Sequence, residues 1–151
     1  MRKQPYKPLP KLHILDELAD YLDYQELKHD VFDMKVYRQI NTFNCGTRGC
    51  AMGELPFLFP DIFGFKIRLG DTYWIVNKKS NMPITSENFG HYLGILDPFQ
   101  CKRLNSIFNP TLSNIYFLDD GVRITPEMVA NQIRKFIHNH YPDYYDEPKT
   151  T

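Results

Sequence analysis

Hydrophobic periodicity predicts amphipathic helices near both ends of the chain. From Lys11 to about Lys28, apolar residues recur every three or four positions, and carboxylates occupy the opposite side. A second such pattern follows Thr125 and Pro126, a capping residue and a proline that fits the first helical turn. The predicted buried face of this last helix consists of Val129, Ile133, Phe136, Ile137 and His140.

Two shorter helices are predicted between these two. The first begins after Thr85 or Ser86 and ends at Gly94, because glycine readily adopts the left-handed conformation found at helix C-termini. The second begins at Asp97-Pro98, which combines an N-cap residue with a proline, and ends at Asn109-Pro110.

Residues 65–76 carry the clearest β pattern. Apolar side chains alternate with Lys66 and Arg68 as far as Gly70-Asp71, a dipeptide typical of two-residue turns, and the stretch from Tyr73 to Val76 forms the returning strand. A hairpin alone is only marginally stable in water, so we expect it to pack against helices. Before it, the apolar but proline-broken stretch PFLFPDIFGF predicts an irregular, buried segment.

Together these elements predict an α+β fold, a single mostly helical domain over residues 11–141 with a small β-hairpin. Residues 1–10 contain three prolines and three basic side chains, which predicts a flexible extended arm. Residues 142–151 are polar and interrupted by proline, which predicts a flexible tail.

Composition and charge narrow the classes of partner. Lys plus Arg and Asp plus Glu number 18 each, so there is no surplus of positive charge and we do not expect nucleic acid as a partner. No apolar run approaches the roughly 18 residues of a membrane span, and no apolar segment follows the basic start as it would in a signal peptide. Three cysteines are an odd number, which favours reduced thiols and a cytoplasmic location.

Candidate chemistry concentrates in NCGTRGCAMGE, residues 44–54. The glycines predict a loop that leads into a short helix from Cys50 to about Leu55, where Pro56 stops it. A thiol at a helix N-terminus has a lowered pKa, and the same backbone donors could instead cradle an anion. The predicted ligand-binding set is Gly46, Thr47, Arg48, Gly49 and Cys50.

Other interpretations of the two cysteines remain open. The thiols could pack in the core, as free cysteines often do, or form a redox pair. A catalytic Cys50 would need a base, for which His91 is the candidate. Zinc would require about four ligands, usually in two close pairs, and the sequence offers only a C-x4-C spacing and the distant Cys101. We therefore expect no metal and no cofactor.

Four short segments resemble a group of small bacterial and phage proteins. They are FDM at 32–34, CGTRGCAMG at 45–53, YLGI at 92–95 and TPEMVANQIRKFI at 125–137. That group carries a C-G-T-x-x-C-x-x-G element and a final T-P-x-x-V-A helix. The resemblance implies a small mobile-element or accessory protein without specifying an activity, and it directs attention to Cys45, Gly46, Thr47, Cys50 and Gly53.

These observations favour a non-enzymatic accessory protein that engages a host protein or a small anionic ligand, such as a phosphate or nucleotide. The alternative is a cysteine-dependent hydrolase with Cys50 as its nucleophile. We expect no association with a membrane.

Overall fold

The computed structural model describes residues 10–24, 27, 31–32, 38–41, 46–70, 72–109 and 124–145. Its α-helices are α1 (Leu12–Tyr24), α2 (Leu55–Leu58), α3 (Phe89–Leu93), α4 (Pro98–Phe108) and α5 (Pro126–His140). A 3-10 helix, Met52–Glu54, precedes α2. The strands are β1 (Val31–Phe32), β2 (Arg38–Asn41), β3 (Gly46–Gly49), β4 (Phe63–Leu69), β5 (Thr72–Asn77) and β6 (Pro83–Ile84). The predicted α+β class is confirmed.

The predicted hairpin is confirmed and forms one side of a larger sheet. Strands β4 and β5 pair antiparallel across a turn in which Gly70 has a φ of 59°, a conformation that suits glycine. The strand order is β1-β3-β2-β5-β4, and β6 also pairs with β5. Only the contact between β1 and β3 is parallel among the described pairs. The sheet therefore extends well beyond the hairpin.

One face of the hairpin belongs to the hydrophobic core. Phe65 lies opposite Ile75 in the ladder, and Phe63 is two residues before Phe65, so the three share a face. Phe63 and Ile75 are fully buried in the same cluster as the apolar sides of the helices. This inner face provides the support that a hairpin needs for stability.

The helices pack on one another as their apolar patterns require. Helix α1 packs against α5, and α4 packs against both α3 and α5. At the edge of the α1–α5 contact, Arg134 forms ion pairs with Asp20, at 2.9 Å, and with Asp23. The apolar positions predicted for α5 are buried, except that His140 is half-buried with its ring 4.9 Å from that of Phe136.

Most predicted helix boundaries agree with the structure because their caps act locally, but α3 begins at Phe89, later than the start predicted after Thr85 or Ser86. The side chain of Asp97 accepts hydrogen bonds from the backbone N–H groups of Phe99 and Gln100, and Gly94 ends α3 with a φ of 92°. Thr125 caps α5 by accepting from the N–H of Met128. Helix α1 ends at Tyr24, earlier than predicted, while Lys28 lies outside the described residues.

The structure corrects the predictions for the cysteine-rich segment and the stretch after it. Residues before Cys50 form strand β3 instead of a loop. Pro56 does not stop a helix but lies in the first turn of α2, where its missing N–H costs no hydrogen bond. The stretch predicted to be irregular contains α2 and the start of β4. Phe57 within it is 37% exposed, so this stretch is not uniformly buried.

Both predicted flexible ends fall largely outside the described residues. The arm is described only from Pro10, and the N–H of Lys11 donates to the carbonyl of Leu93 at 2.7 Å. The tail is described as far as Tyr145, and Tyr144 packs against the core.

Candidate functional site

The predicted ligand-binding segment is an interior strand of the sheet. Strand β3 lies between β1 and β2. Arg48 is in register with Val31 on one side and Gln39 on the other. Because strand pairing uses backbone N–H and C=O groups, β3 does not offer the free donors of a glycine-rich loop. The hypothesis that residues 46–50 bind an anion therefore depends on Arg48 as a source of charge, and it stays a prediction.

The sequence predicts that Cys50 begins a helix, but the 3-10 helix begins at Met52 and Cys50 precedes it, in a buried environment. Its sulfur accepts hydrogen bonds from the backbone N–H groups of Met52 and Gly53, which favour the thiolate. The side chain is only 1% exposed. Burial is the largest influence and raises the pKa of Cys50 to about 12, and the nearby Glu54 carboxylate acts in the same direction. The thiol is therefore neutral at physiological pH.

His91 and Cys50 lie in different solvent environments. His91 lies on α3 and is exposed to solvent, whereas Cys50 is part of the hydrophobic core. A substrate in contact with the exposed imidazole would not reach a sulfur that is buried in the core. The arrangement gives no support to the cysteine-hydrolase alternative.

Cys50 and Cys101 are both free, buried thiols, and Cys45 lies outside the described residues. In the described part of the chain, no group of three or more His, Cys, Asp and Glu side chains could hold a metal ion.

A buried carboxylate next to Cys50 was missed at the level of sequence. Glu54 is fully buried, and the hydroxyl of Tyr21 on α1 donates to its Oε1 at 2.9 Å. A buried carboxylate requires such partners because removing a charge from water is costly. The only sequence feature that could have predicted this buried carboxylate is its position between the apolar runs CAM and LPFLF. This hydrogen bond links α1 to the segment that contains Cys50.

The second group missed at the level of sequence lies on the side of the hairpin that faces away from the core. We call this surface the outer face and define it by Gly64, Lys66, Arg68 and Trp74, together with Lys78. Lys66 lies opposite Trp74 in the ladder. The guanidinium carbon of Arg68 is 4.2 Å from the centre of the Trp74 ring. The side chain of Lys78 lies over Gly64, where an added Cβ would be 3.3 Å from its Cε.

The cations of the outer face are available to a ligand, and the aromatic ring between them is partly fixed. Lys66, Arg68 and Lys78 are exposed, while Trp74 is half-buried. The ladder irregularity between Ile67 and Leu69 is the kind of feature that redirects a side chain. At this irregularity, Arg68 lies over the ring of Trp74.

The register of the sheet connects the predicted residue Arg48 with this surface. Arg48 is in register with Gln39, and Gln39 is in register with Thr72, two residues before Trp74. Successive residues of a strand point to opposite faces, and paired residues point to the same face. Positions 72, 39 and 48 therefore belong to the same face of the sheet as Trp74. Position 48 thus lies in the row that continues the outer face across β2 and β3.

The two strands of the hairpin carry exposed cations and no carboxylate. Asp71 is the only carboxylate in the sequence between β4 and β5. Helix α1, whose apolar side belongs to the same core, carries four carboxylates. Two of these, Asp20 and Asp23, pair with Arg134. The zero net charge therefore conceals a cationic outer face.

No protein-family model matches this chain, and neither a curated protein nor a solved structure is significantly similar to it. The resemblance to small bacterial and phage proteins therefore stays a prediction. Among the described residues, the longest helices are too short and too polar to cross a membrane.

Proposed function

We propose that this chain is a non-enzymatic accessory protein that binds an anionic ligand on its outer face. The observation that carries the proposal is the group of exposed cations Lys66, Arg68 and Lys78 on the outer face, at two strands that contain no carboxylate. A cationic surface concentrates anions near it and accelerates their association. The resemblance stated above supports a role in a mobile element, and the two free thiols are consistent with a reducing, cytoplasmic compartment.

The state of Cys50 supports a binding function over a catalytic one. Nucleophilic catalysis by cysteine requires a thiolate that substrate can reach. Cys50 is buried and its pKa is raised to about 12. The hydrogen bond between Tyr21 and Glu54 joins α1 to the turn after Cys50, so this segment has a structural role that requires no ligand.

The arrangement on the outer face suits an extended anion better than a single phosphate. Arg68 provides a planar fork that can donate two parallel hydrogen bonds to a phosphate. Lys66 and Lys78 provide compact charges on flexible stems. From Gly64 to Arg68 the strand covers about 13 Å, at about 3.3 Å per residue. The cations therefore form a track along β4 instead of converging on one point.

Calorimetric titration with inorganic polyphosphate at low salt tests this proposal. We expect the double variant Lys66→Ala, Lys78→Ala to bind about tenfold more weakly, since two exposed charge pairs at about 0.7 kcal/mol each amount to one factor of ten. The matched control is Lys102→Ala, Lys135→Ala, which removes two exposed lysines from α4 and α5. The proposal fails if wild-type protein binds no polyphosphate, or if the control loses as much affinity as the outer-face variant.

A protein partner is the second candidate, and two exposed apolar side chains favour it. Leu96 is 85% exposed and Phe99 is 67% exposed; Leu96 lies between α3 and α4, and Phe99 lies in the first turn of α4. Aromatic residues are enriched at protein interfaces. A photo-crosslinking amino acid at position 99 tests this in cells that express the chain. Absence of any crosslinked protein would contradict the candidate.

A further inference from the structure

We infer, on the premise of the proposed function, that the anionic ligand of the outer face is single-stranded nucleic acid, with an unpaired base stacking at Trp74 and Arg68. The evidence is the combination of a cationic track and an aromatic ring on one sheet surface. Each feature alone would fit many anions. Together they match a polymer that alternates negative phosphates with flat bases.

The geometry around Trp74 fits a stacking site. Its ring is half-buried, and the guanidinium of Arg68 lies 4.2 Å from the ring centre. Bases stack on aromatic rings and on the planes of arginine guanidinium groups. A partly fixed ring loses little conformational freedom when a base binds. The structure thus combines both kinds of stacking surface at one point.

The charges around this ring can follow a phosphate backbone. Lys66 is in the ladder position opposite Trp74, and Lys78 lies over Gly64, further along β4. A phosphodiester chain that follows β4 past Trp74 would therefore meet Lys66 beside the stacked base and Lys78 further along the strand.

A single strand suits this surface better than a duplex. In a duplex the bases are paired and stacked on each other, so a tryptophan on a sheet cannot stack on them without first opening the helix. Recognition of unpaired bases on sheet surfaces combines aromatic stacking with positive charge.

This inference revises the expectation drawn from composition. Zero net charge argues against nucleic acid only if the charges are mixed over the surface. Here the two strands of the outer face contain exposed cations and no carboxylate, while Asp20 and Asp23 of α1 pair with Arg134. Exposed charges are largely screened from each other beyond about 10 Å at 0.1 M salt. A ligand on the outer face therefore encounters mainly the cations.

Fluorescence of the full-length protein provides the direct test, because Trp74 is the only tryptophan in the sequence. The two probes are a 12-nucleotide oligothymidylate and inorganic polyphosphate of similar charge. We expect the oligonucleotide to quench Trp74 saturably and polyphosphate to bind with little quenching. Binding should weaken with salt, with a slope of about 0.7 in logarithmic units for each phosphate neutralised.

Two variants, measured by anisotropy of a labelled oligonucleotide, separate stacking from charge. Trp74→Leu should weaken oligonucleotide binding about tenfold or more, the scale of one stacked base, while polyphosphate affinity changes less than twofold. Trp74→Phe retains a ring and should preserve most of the affinity. The quenching experiment uses wild-type protein and stays decisive if Trp74→Leu does not fold.

The outcomes distinguish this inference from the function on which it rests. If polyphosphate and oligonucleotide bind equally, with no quenching of Trp74, the nucleic-acid inference is wrong and the anion-binding proposal stands. The inference is also wrong if a 12-base-pair duplex binds as tightly as the single strand. If neither probe binds at low salt, both fail.

Discussion

At Cys50 two physical effects on one thiol act in opposite directions. The N–H groups of Met52 and Gly53 stabilise a thiolate, as the sequence suggested for a residue before a helical turn. Burial opposes them and is larger, because a charge inside the core lacks its hydration. The sequence around Cys50 is enough to predict these N–H donors. It does not reveal the burial, which arises from distant elements that close over the sulfur.

The raised pKa of Cys50 predicts slow alkylation of the folded protein. With a pKa of about 12, the thiolate fraction at pH 8 is on the order of one in ten thousand. Iodoacetamide should leave Cys50 unmodified at pH 8 over the time in which the unfolded chain reacts fully, as peptide mass spectrometry would show. Rapid modification of Cys50 in folded protein at pH 6 would contradict this and revive the hydrolase alternative.

The same shift predicts a loss of stability at alkaline pH. The folded pKa lies above the unfolded value of about 8.5, so this contribution is present below that pH and disappears as pH rises toward 12. Tyr145, whose pKa is also raised to about 12, contributes in the same direction. Cys50→Ala should therefore show a shallower decrease in unfolding free energy above pH 9 than wild type. Identical pH dependence in both proteins would show that Cys50 is not the buried thiol described.

At the scale of elements, the sequence predicts a helix or strand correctly where the residues that define it lie within a few positions of one another. The cap at Asp97 and the left-handed Gly94 define helix ends within a few residues, and alternation around Lys66 defines the hairpin. Strand β3 contains two glycines, which are depleted in strands, and it is held by β1 and β2. Its partner β2 is close in sequence, but its parallel pairing joins Arg48 to Val31, a contact that a local pattern does not contain.

The contact between α3 and α4 gives a prediction at this scale. A Cβ added at Gly90 would lie 2.8 Å from Sγ of Cys101 and 3.2 Å from its Cα. Because backbone atoms cannot easily move away, Gly90→Ala should lower the unfolding free energy by about 1–3 kcal/mol.

A matched glycine serves as the control in the same denaturation experiment. A Cβ at Gly64 meets only the flexible side chain of Lys78, at 3.3 Å, so Gly64→Ala should change stability little. Combining Gly90→Ala with Cys101→Ala should recover part of the loss, since it removes the closer atom. If Gly90→Ala is as stable as wild type, the helices are not packed as closely as described.

At the scale of the whole molecule, the essential feature is where the charges lie. Counting residues gives equal numbers of acids and bases, and that total contains no information about position. The fold places Lys66 and Arg68 on the surface around Trp74. It pairs Asp20 and Asp23 of α1 with Arg134. The role predicted for Arg48 from its loop-like sequence stays a prediction, and the cluster around Trp74 requires the register of β4 and β5.

Residue-resolved NMR with inorganic polyphosphate tests most directly the central claim, that the outer face binds anions. In a titration of isotope-labelled protein at low salt, we predict saturable amide shifts concentrated between Gly64 and Arg68 and between Trp74 and Lys78. The amides of α5 should remain unchanged. Shifts centred on the helical side, or no shifts at all at low salt, would contradict the account.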